Sequence, residues 1–250
     1  MKEKSRQKYI STTLELSKLT AQPPKEVKKS FPPEQLVSLP GNRLGVPSSQ
    51  VRQYLSDNGI DYAARVIVFA NMKGGVGKTT SAVSIATRAV QYGFKTCILD
   101  MDSQGSASFA FDLMPSDDDP IFCDIWQNPE NMVMGALKEI DEGLYLLPSS
   151  LDNGLLDLNL INPASQKNAV ANVCQTLKHN GFDLIIVDCP PSLGTAVISS
   201  VCAADTLIIP VCSDAFSIKG LELVLSAVRI LVRRIPVIDV HVDDGDAVQN

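Results

Sequence analysis

Short apolar runs alternate along this chain with longer stretches in which apolar positions recur at helical spacing. The runs predict strands near 66 to 71, 96 to 101, 144 to 148, 184 to 188 and 206 to 211, with a weaker one at 236 to 242. Helical patterns fill 81 to 92, 167 to 179 and 219 to 233. Such alternation predicts an α/β domain over residues 65–250, built on a mostly parallel sheet with helices on both faces. Ligands in that architecture sit beyond the carboxyl ends of the strands, so the residues just after each run are the first place to look for chemistry.

The segment ahead of this domain reads differently. Residues 1–33 are lysine-rich and aromatic-poor, and Pro23, Pro24, Pro32 and Pro33 interrupt them; a flexible basic tail is expected. Residues 34–64 predict a small helical region. There Leu36, Val37 and Leu39 precede a Pro40-Gly41 turn, and Ser48 or Ser49 caps a helix with Val51, Tyr54 and Leu55 on one face.

Composition narrows the class. With 250 residues, 45% hydrophobic and 20% charged, the balance is that of a globular domain with an appendage. The most apolar helical stretch, Leu221 to Val232, carries Glu222 and Arg229 and is shorter than the roughly 20 residues that cross a bilayer. The N-terminus has no continuous apolar core, so no signal peptide is read and a cytosolic location is expected. The net charge of −6 is uneven, because the first 64 residues are basic and the remainder acidic. A basic arm on an acidic body suggests an anionic partner. The six cysteines form no C-x-x-C pair and lie mostly inside apolar runs, as reduced core thiols do. His179 and His241 are isolated and suggest no zinc; Asp117-Asp118-Asp119 reads as a solvated acidic loop.

The strongest chemical signal is Lys73-Gly74-Gly75-Val76-Gly77-Lys78-Thr79-Thr80, between the run ending at Ala70 and the helix-like stretch from Ser81. Glycines let successive N–H groups converge on an anion, and the helix N-terminus adds partial positive charge. Lys78 can reach β and γ phosphate oxygens, and Thr79 supplies a hydroxyl for Mg²⁺. The ordinary pattern has Gly where this chain has Met72, and a second lysine, Lys73, follows it.

A loop opened by lysine resembles the deviant Walker A box of the ParA/MinD ATPases. Asp100-Met101-Asp102-Ser103-Gln104-Gly105 resembles that family's second box, and Asp183 to Gly194 its Walker B strand and loop. Ala204 to Val211, with Phe216 to Gly220, resembles the next strand and helix-opening turn. The resemblance implies a P-loop NTPase fold and a Mg²⁺-dependent ATPase. In it Gly74, Gly75, Val76, Gly77, Lys78, Thr79 and Thr80 bind the phosphates, and Thr79 with a water-mediated Asp188 holds the metal. Asp102 orients the attacking water; a helix cap or a second Mg²⁺ partner is its alternative. Lys73 reaches across an ATP-bound homodimer to the other subunit's phosphates.

The implied function is plasmid or chromosome partition, with a centromere-binding ParB-type partner, association with the nucleoid and no membrane. A MinD-like division-site ATPase is the alternative within the family. A nucleotide-responsive DNA-binding repressor of its own operon is the alternative outside it. Gly45 to Tyr54 is similar to the turn and recognition helix of a helix-turn-helix, as found ahead of the ATPase in larger plasmid-partition relatives. Arg52 and Gln53 would then face DNA; a plain helical appendage is the competing reading. Relatives continue past the position of Gly220 with elements that carry the adenine pocket. Here Asp239 to Asp246 matches no family motif, and a C-terminally shortened domain is expected.

Overall fold

A computed structural model describes residues 9–159 and 162–212, together with Leu221 and Leu225, which are helical. The remainder of the 219 to 233 helix and the strand at 236 to 242 lie outside the described residues. Near the start, β1 (Ile10–Thr12) runs directly into the helix Thr13–Thr20 through a capping box. The Thr12 hydroxyl accepts from the Glu15 N–H at 3.2 Å, and a Glu15 carboxylate oxygen accepts from the Thr12 N–H at 2.7 Å. Ala21, at φ +53°, turns the chain toward the helix Pro24–Lys29, which has Pro24 at its first position.

A 3-10 turn Pro33–Gln35, β2 (Val37–Leu39), β3 (Arg43–Pro47) and the helix Ser48–Asp57 complete the segment. Its antiparallel sheet has the order β1-β3-β2. Leu16, Val27, Phe31, Val46, Val51, Tyr54 and Leu55 share one core beneath it.

Residues 9–33 are therefore not the flexible tail expected from composition. Their few apolar side chains are enough because Leu16, Val27 and Phe31 pool their burial with the helix Ser48–Asp57. That helix buries Val51, Tyr54 and Leu55 as its spacing predicts, but its N-cap is Pro47 with no side-chain cap, in place of Ser48 or Ser49.

The larger sheet contains β4 (Arg65–Phe69), β5 (Thr96–Asp100), β6 (Lys138–Asp141), β7 (Leu144–Leu147), β8 (Leu184–Asp188) and β9 (Thr206–Ile208). Its order is β6-β7-β5-β8-β4-β9, with every neighbour parallel except the antiparallel edge pair β6–β7. Side chains alternate between two cores. Val66, Val68, Leu99, Ile185 and Val187 pack on one face, which includes Val170, Val173 and Leu177 of the helix Pro163–His179. Phe69, Ile98, Leu146 and Ile186 pack on the other against Ala82, Ala86 and Ala89 of the helix Lys78–Gln91. Burial on both faces is why these strands read as continuous apolar runs.

Register decides where the site lies. Asp188 at the end of β8 pairs with Phe69 on one side and Asp100 on the other. Strands β4, β5 and β8 therefore release their chains side by side at the carboxyl end of the sheet.

Candidate nucleotide site

The chain leaving β4 forms the glycine loop and returns as the helix Lys78–Gln91. Gly75 has φ +73° and Gly77, the N-cap, has φ +87°, a region that L side chains rarely adopt. Asn71 braces the loop from below: its Nδ2 donates to the Pro210 carbonyl at 2.6 Å, and its Oδ1 accepts from the Lys73 N–H at 3.0 Å. Lys78 is only 7% exposed, and its ammonium donates to the Lys73 carbonyl at 3.2 Å. The lysine is thereby held inside the loop, at the helix N-terminus where a phosphate is best stabilised.

Asp188 is fully buried, and neither carboxylate oxygen makes a hydrogen bond of good geometry. Burial pushes its pKa up to about 7; Asp100 and Asp102 add to the rise, while the nearby Thr79 hydroxyl and the Lys78 cation oppose it. A buried carboxylate without a donor calls for a proton or a cation. With the Thr79 hydroxyl beside it, this pair suits the oxygen-rich, partly hydrated shell of Mg²⁺. The glycine loop suits phosphate for the same reason of charge and open backbone.

On the other side of Asp188, β5 delivers Asp100 and Asp102. Asp102 is half-buried, and its Oδ1 accepts from the Gln104 N–H at 3.0 Å. Asp100 is fully buried and accepts from Ser108 and Asp102. Burial pushes Asp100 up to about 6, against the lowering effect of its Ser108 and Asp102 hydrogen bonds. The role of Asp100 is not legible in the sequence, because its partner Ser108 lies in a separate helix that only the fold brings to it. The available signal was the place of Asp100 as the last residue of an apolar run.

The structure thus gathers Lys73, Gly74, Gly75, Val76, Gly77, Lys78, Thr79, Thr80, Asp102 and Asp188 at the carboxyl end of the central strands, but not Arg52 or Gln53. Arg52, expected to contact DNA, instead commits its half-exposed guanidinium to partners within the chain. It donates to Asp183 at 2.5 and 3.0 Å and to the Gly93 carbonyl at 2.8 Å, and it lies over the Tyr62 ring. Gln53 is exposed and donates to Asp57 at 2.8 Å within its own helix. Cys97, Cys174 and Cys189 are buried free thiols, and burial pushes Cys174 and Cys189 up to about 12, which keeps them protonated. His179 closes the last turn of the helix Pro163–His179, and His241 lies outside the described residues.

A mostly parallel sheet whose adjoining strand ends supply a glycine loop, a buried lysine and a buried carboxylate beside the loop's threonine defines a P-loop nucleoside triphosphatase. A family profile described as an AAA domain matches residues 64–238. The sporulation initiation inhibitor protein Soj of Bacillus subtilis is 28% identical over 171 residues, 68% of this chain and 67% of its own length. The solved structure of a cobyrinic acid a,c-diamide synthase from Mycobacterium smegmatis, with bound ATP analogue and magnesium, is 28% identical. It covers 69% of this chain and 70% of its own, at a TM-score of 0.63. A putative plasmid partition protein from Borrelia burgdorferi bound to AMPPNP is 26% identical, covering 70% and 73%, at a TM-score of 0.60. The chain belongs to this AAA-domain family, as a ParA-type P-loop ATPase. It spans 67%, 65% and 62% of the length of the first curated relatives it matches. Among the described residues, no helix is long and apolar enough to cross a membrane.

Proposed function

We propose that this chain binds and hydrolyses ATP with Mg²⁺ and acts, as an ATP-switched homodimer, in plasmid or chromosome partition. The observation that carries the reading is Asp188, a buried carboxylate whose oxygens make no hydrogen bond of good geometry, set beside the Thr79 hydroxyl and Lys78 at the open end of a phosphate loop. Partition is supported by relatives such as Soj and the chromosome partitioning protein ParA of Caulobacter vibrioides. Magnesium and ATP are supported by the ligands of the solved neighbours.

In the proposed reaction the N–H groups of Gly74 to Thr80 and the Lys78 ammonium hold the triphosphate, with Lys78 leaving the Lys73 carbonyl to do so. Thr79 and Asp188 are the residues that would hold the metal, which when bound would supply charge neutralisation at the transferring phosphoryl group. Asp102 orients the attacking water. Lys73 completes the site of the second subunit, so turnover depends on dimerisation and on a partner protein of the ParB kind. A cytoplasmic, nucleoid-associated location goes with this reading.

DNA as a further partner is favoured by one observation. The order β1, helix, tight turn, helix, β2, β3 is that of a helix-turn-helix with an antiparallel wing. In that frame the DNA contacts are Lys25, Lys28 and the turn residues Asn42 and Arg43, all exposed, with Arg52 serving as an internal strut. Light scattering with and without ATP and Mg²⁺ tests the switch. A dimer formed only with nucleotide by the parent, and not by Lys73→Ala, supports it; one oligomeric state under all conditions overturns it.

A further inference from the structure

The geometry points to Asp100 as the positioning residue that holds the hydrolytic loop at Asp102, an inference that rests on the ATPase reading above. Three donors converge on its two oxygens. Oδ2 accepts from the Ser108 N–H at 2.8 Å and the Ser108 hydroxyl at 2.7 Å, and Oδ1 accepts from the Asp102 N–H at 3.2 Å. The Ser108 hydroxyl accepts in turn from the Ser149 N–H at 3.0 Å. The Ser149 hydroxyl accepts from Asn153 Nδ2 at 2.7 Å, and Asn153 Oδ1 accepts from the Cys123 N–H at 3.0 Å. Asp100, Ser108 and Ser149 are fully buried and Asn153 nearly so. The backbone of Asp102 is thus tied, through one carboxylate, to the helix Ser106–Ala110 and to the segment that follows β7.

The loop is also pressed against that segment. Gly105, at φ +62°, leaves so little room that a Cβ there would lie 3.0 Å from the Ser149 carbonyl oxygen. Asp102 has no comparable network of its own, since the hydrogen bond its carboxylate accepts is from Gln104 within the same loop. Asp102 lies two residues past Asp100, whose Cα stands opposite that of Asp188 in the β5–β8 register. The intervening Met101 N–H donates to the Asp188 carbonyl at 2.9 Å, so the Asp100 carboxylate fixes the last step to Asp102. A carboxylate is needed because it accepts on both oxygens. Asn at this position accepts on one, and its amide turns a donor toward either the Asp102 or the Ser108 N–H. A buried carboxylate is costly, and none of the donors it meets comes from outside this loop and helix, so what Asp100 contributes is local geometry.

Hydrogen exchange of the nucleotide-free protein, with ATP titration calorimetry and single-turnover hydrolysis, tests this on Asp100→Asn and on the milder Ser108→Ala. The expected result for Asp100→Asn is that amides in 102–109 exchange roughly tenfold faster while those of 73–80 are unchanged. Affinity for ATP with Mg²⁺ stays within about twofold, and the hydrolytic step falls at least about tenfold. Ser108→Ala, which keeps the carboxylate and the Ser108 N–H, shifts both readouts in the same direction by less. Unchanged exchange in 102–109 in both variants overturns the inference, as does a loss of ATP affinity as large as the loss of turnover. If the parent protein binds no ATP, the function proposed above fails, and the exchange result still decides whether Asp100 holds the loop.

Discussion

Arg52 and Asp183, 131 residues apart in sequence, form a bidentate ion pair that joins the N-terminal unit to the start of β8. The same Asp183 oxygen that accepts from Arg52 Nη1 accepts from the Lys95 N–H at 2.8 Å. Gly93 makes the approach possible: at φ +82° it carries its carbonyl to Arg52, and a Cβ there would lie 2.5 Å from the Arg52 Cβ. Two more contacts reinforce the junction. Arg88 of the phosphate-loop helix pairs with Glu15 at 2.8 Å, and the Tyr62 hydroxyl donates to the Tyr92 carbonyl at 2.6 Å. The N-terminal unit therefore grips the trailing end of the helix whose leading end forms the phosphate site.

Arg52→Ala leaves the Asp183 carboxylate largely buried with one strong partner fewer, and the Arg52 side chain itself is 44% exposed. The expected loss is about 1–2 kcal/mol of unfolding free energy, between the values for exposed and buried pairs. Urea denaturation followed by fluorescence measures it. Affinity for ATP is expected to be unchanged.

Lys78→Ala removes the buried ammonium from the loop. Nucleotide binding is expected to fall by at least about 100-fold, because charge-assisted contacts to phosphate are the strong ones and Lys73 carries the only other side-chain cation in the loop itself. Calorimetry with ATP and Mg²⁺ reads this directly, and an unchanged heat would make the loop structural.

Asp188→Asn separates stability from function. The parent buries a carboxylate whose pKa burial raises to about 7, so at pH 8 its charged form is a standing cost to the fold. Nucleotide-free Asp188→Asn is expected to melt at the same temperature as the parent or higher at that pH. The dependence of ATP affinity on Mg²⁺ is expected to weaken, with Thr79 still present to hold the ion.

The parallel sheet was legible because each central strand is buried on both faces and ends in a motif, as Leu184 to Asp188 does. Edge strand β6 was not: Lys138-Glu139-Ile140-Asp141 has neither an apolar run nor clean alternation, and only its pairing with β7 makes it a strand. The phosphate loop could be read from its glycine spacing, whereas Asp102 and Asp188 were named from the resemblance of their segments to family boxes, and both follow strands whose ends converge by topology. The fate of Arg52 could not, because its partner Asp183 lies far along the chain and surface helices carry arginine for many reasons. The folded state of residues 9–33 was hidden in the same way, its core being shared with Val51 and Leu55 from a later segment.

Lys25→Ala with Lys28→Ala tests the wing-and-helix surface. Binding to duplex DNA is expected to weaken and its logarithmic salt slope to fall by about 1 for each lysine that contacts phosphate. Fluorescence anisotropy across a salt series is the measurement. Arg52→Ala is expected to leave the slope as it was.

Single-turnover hydrolysis of ATP with Mg²⁺, by the parent and by Asp102→Ala at matched nucleotide occupancy, tests the central claim most directly. The account predicts that Asp102→Ala binds ATP as the parent does and turns it over about 10²- to 10⁴-fold more slowly, the range for a group that positions or accepts a proton from the attacking water. Equal rates in the two proteins, or no hydrolysis by the parent at full occupancy, would contradict it.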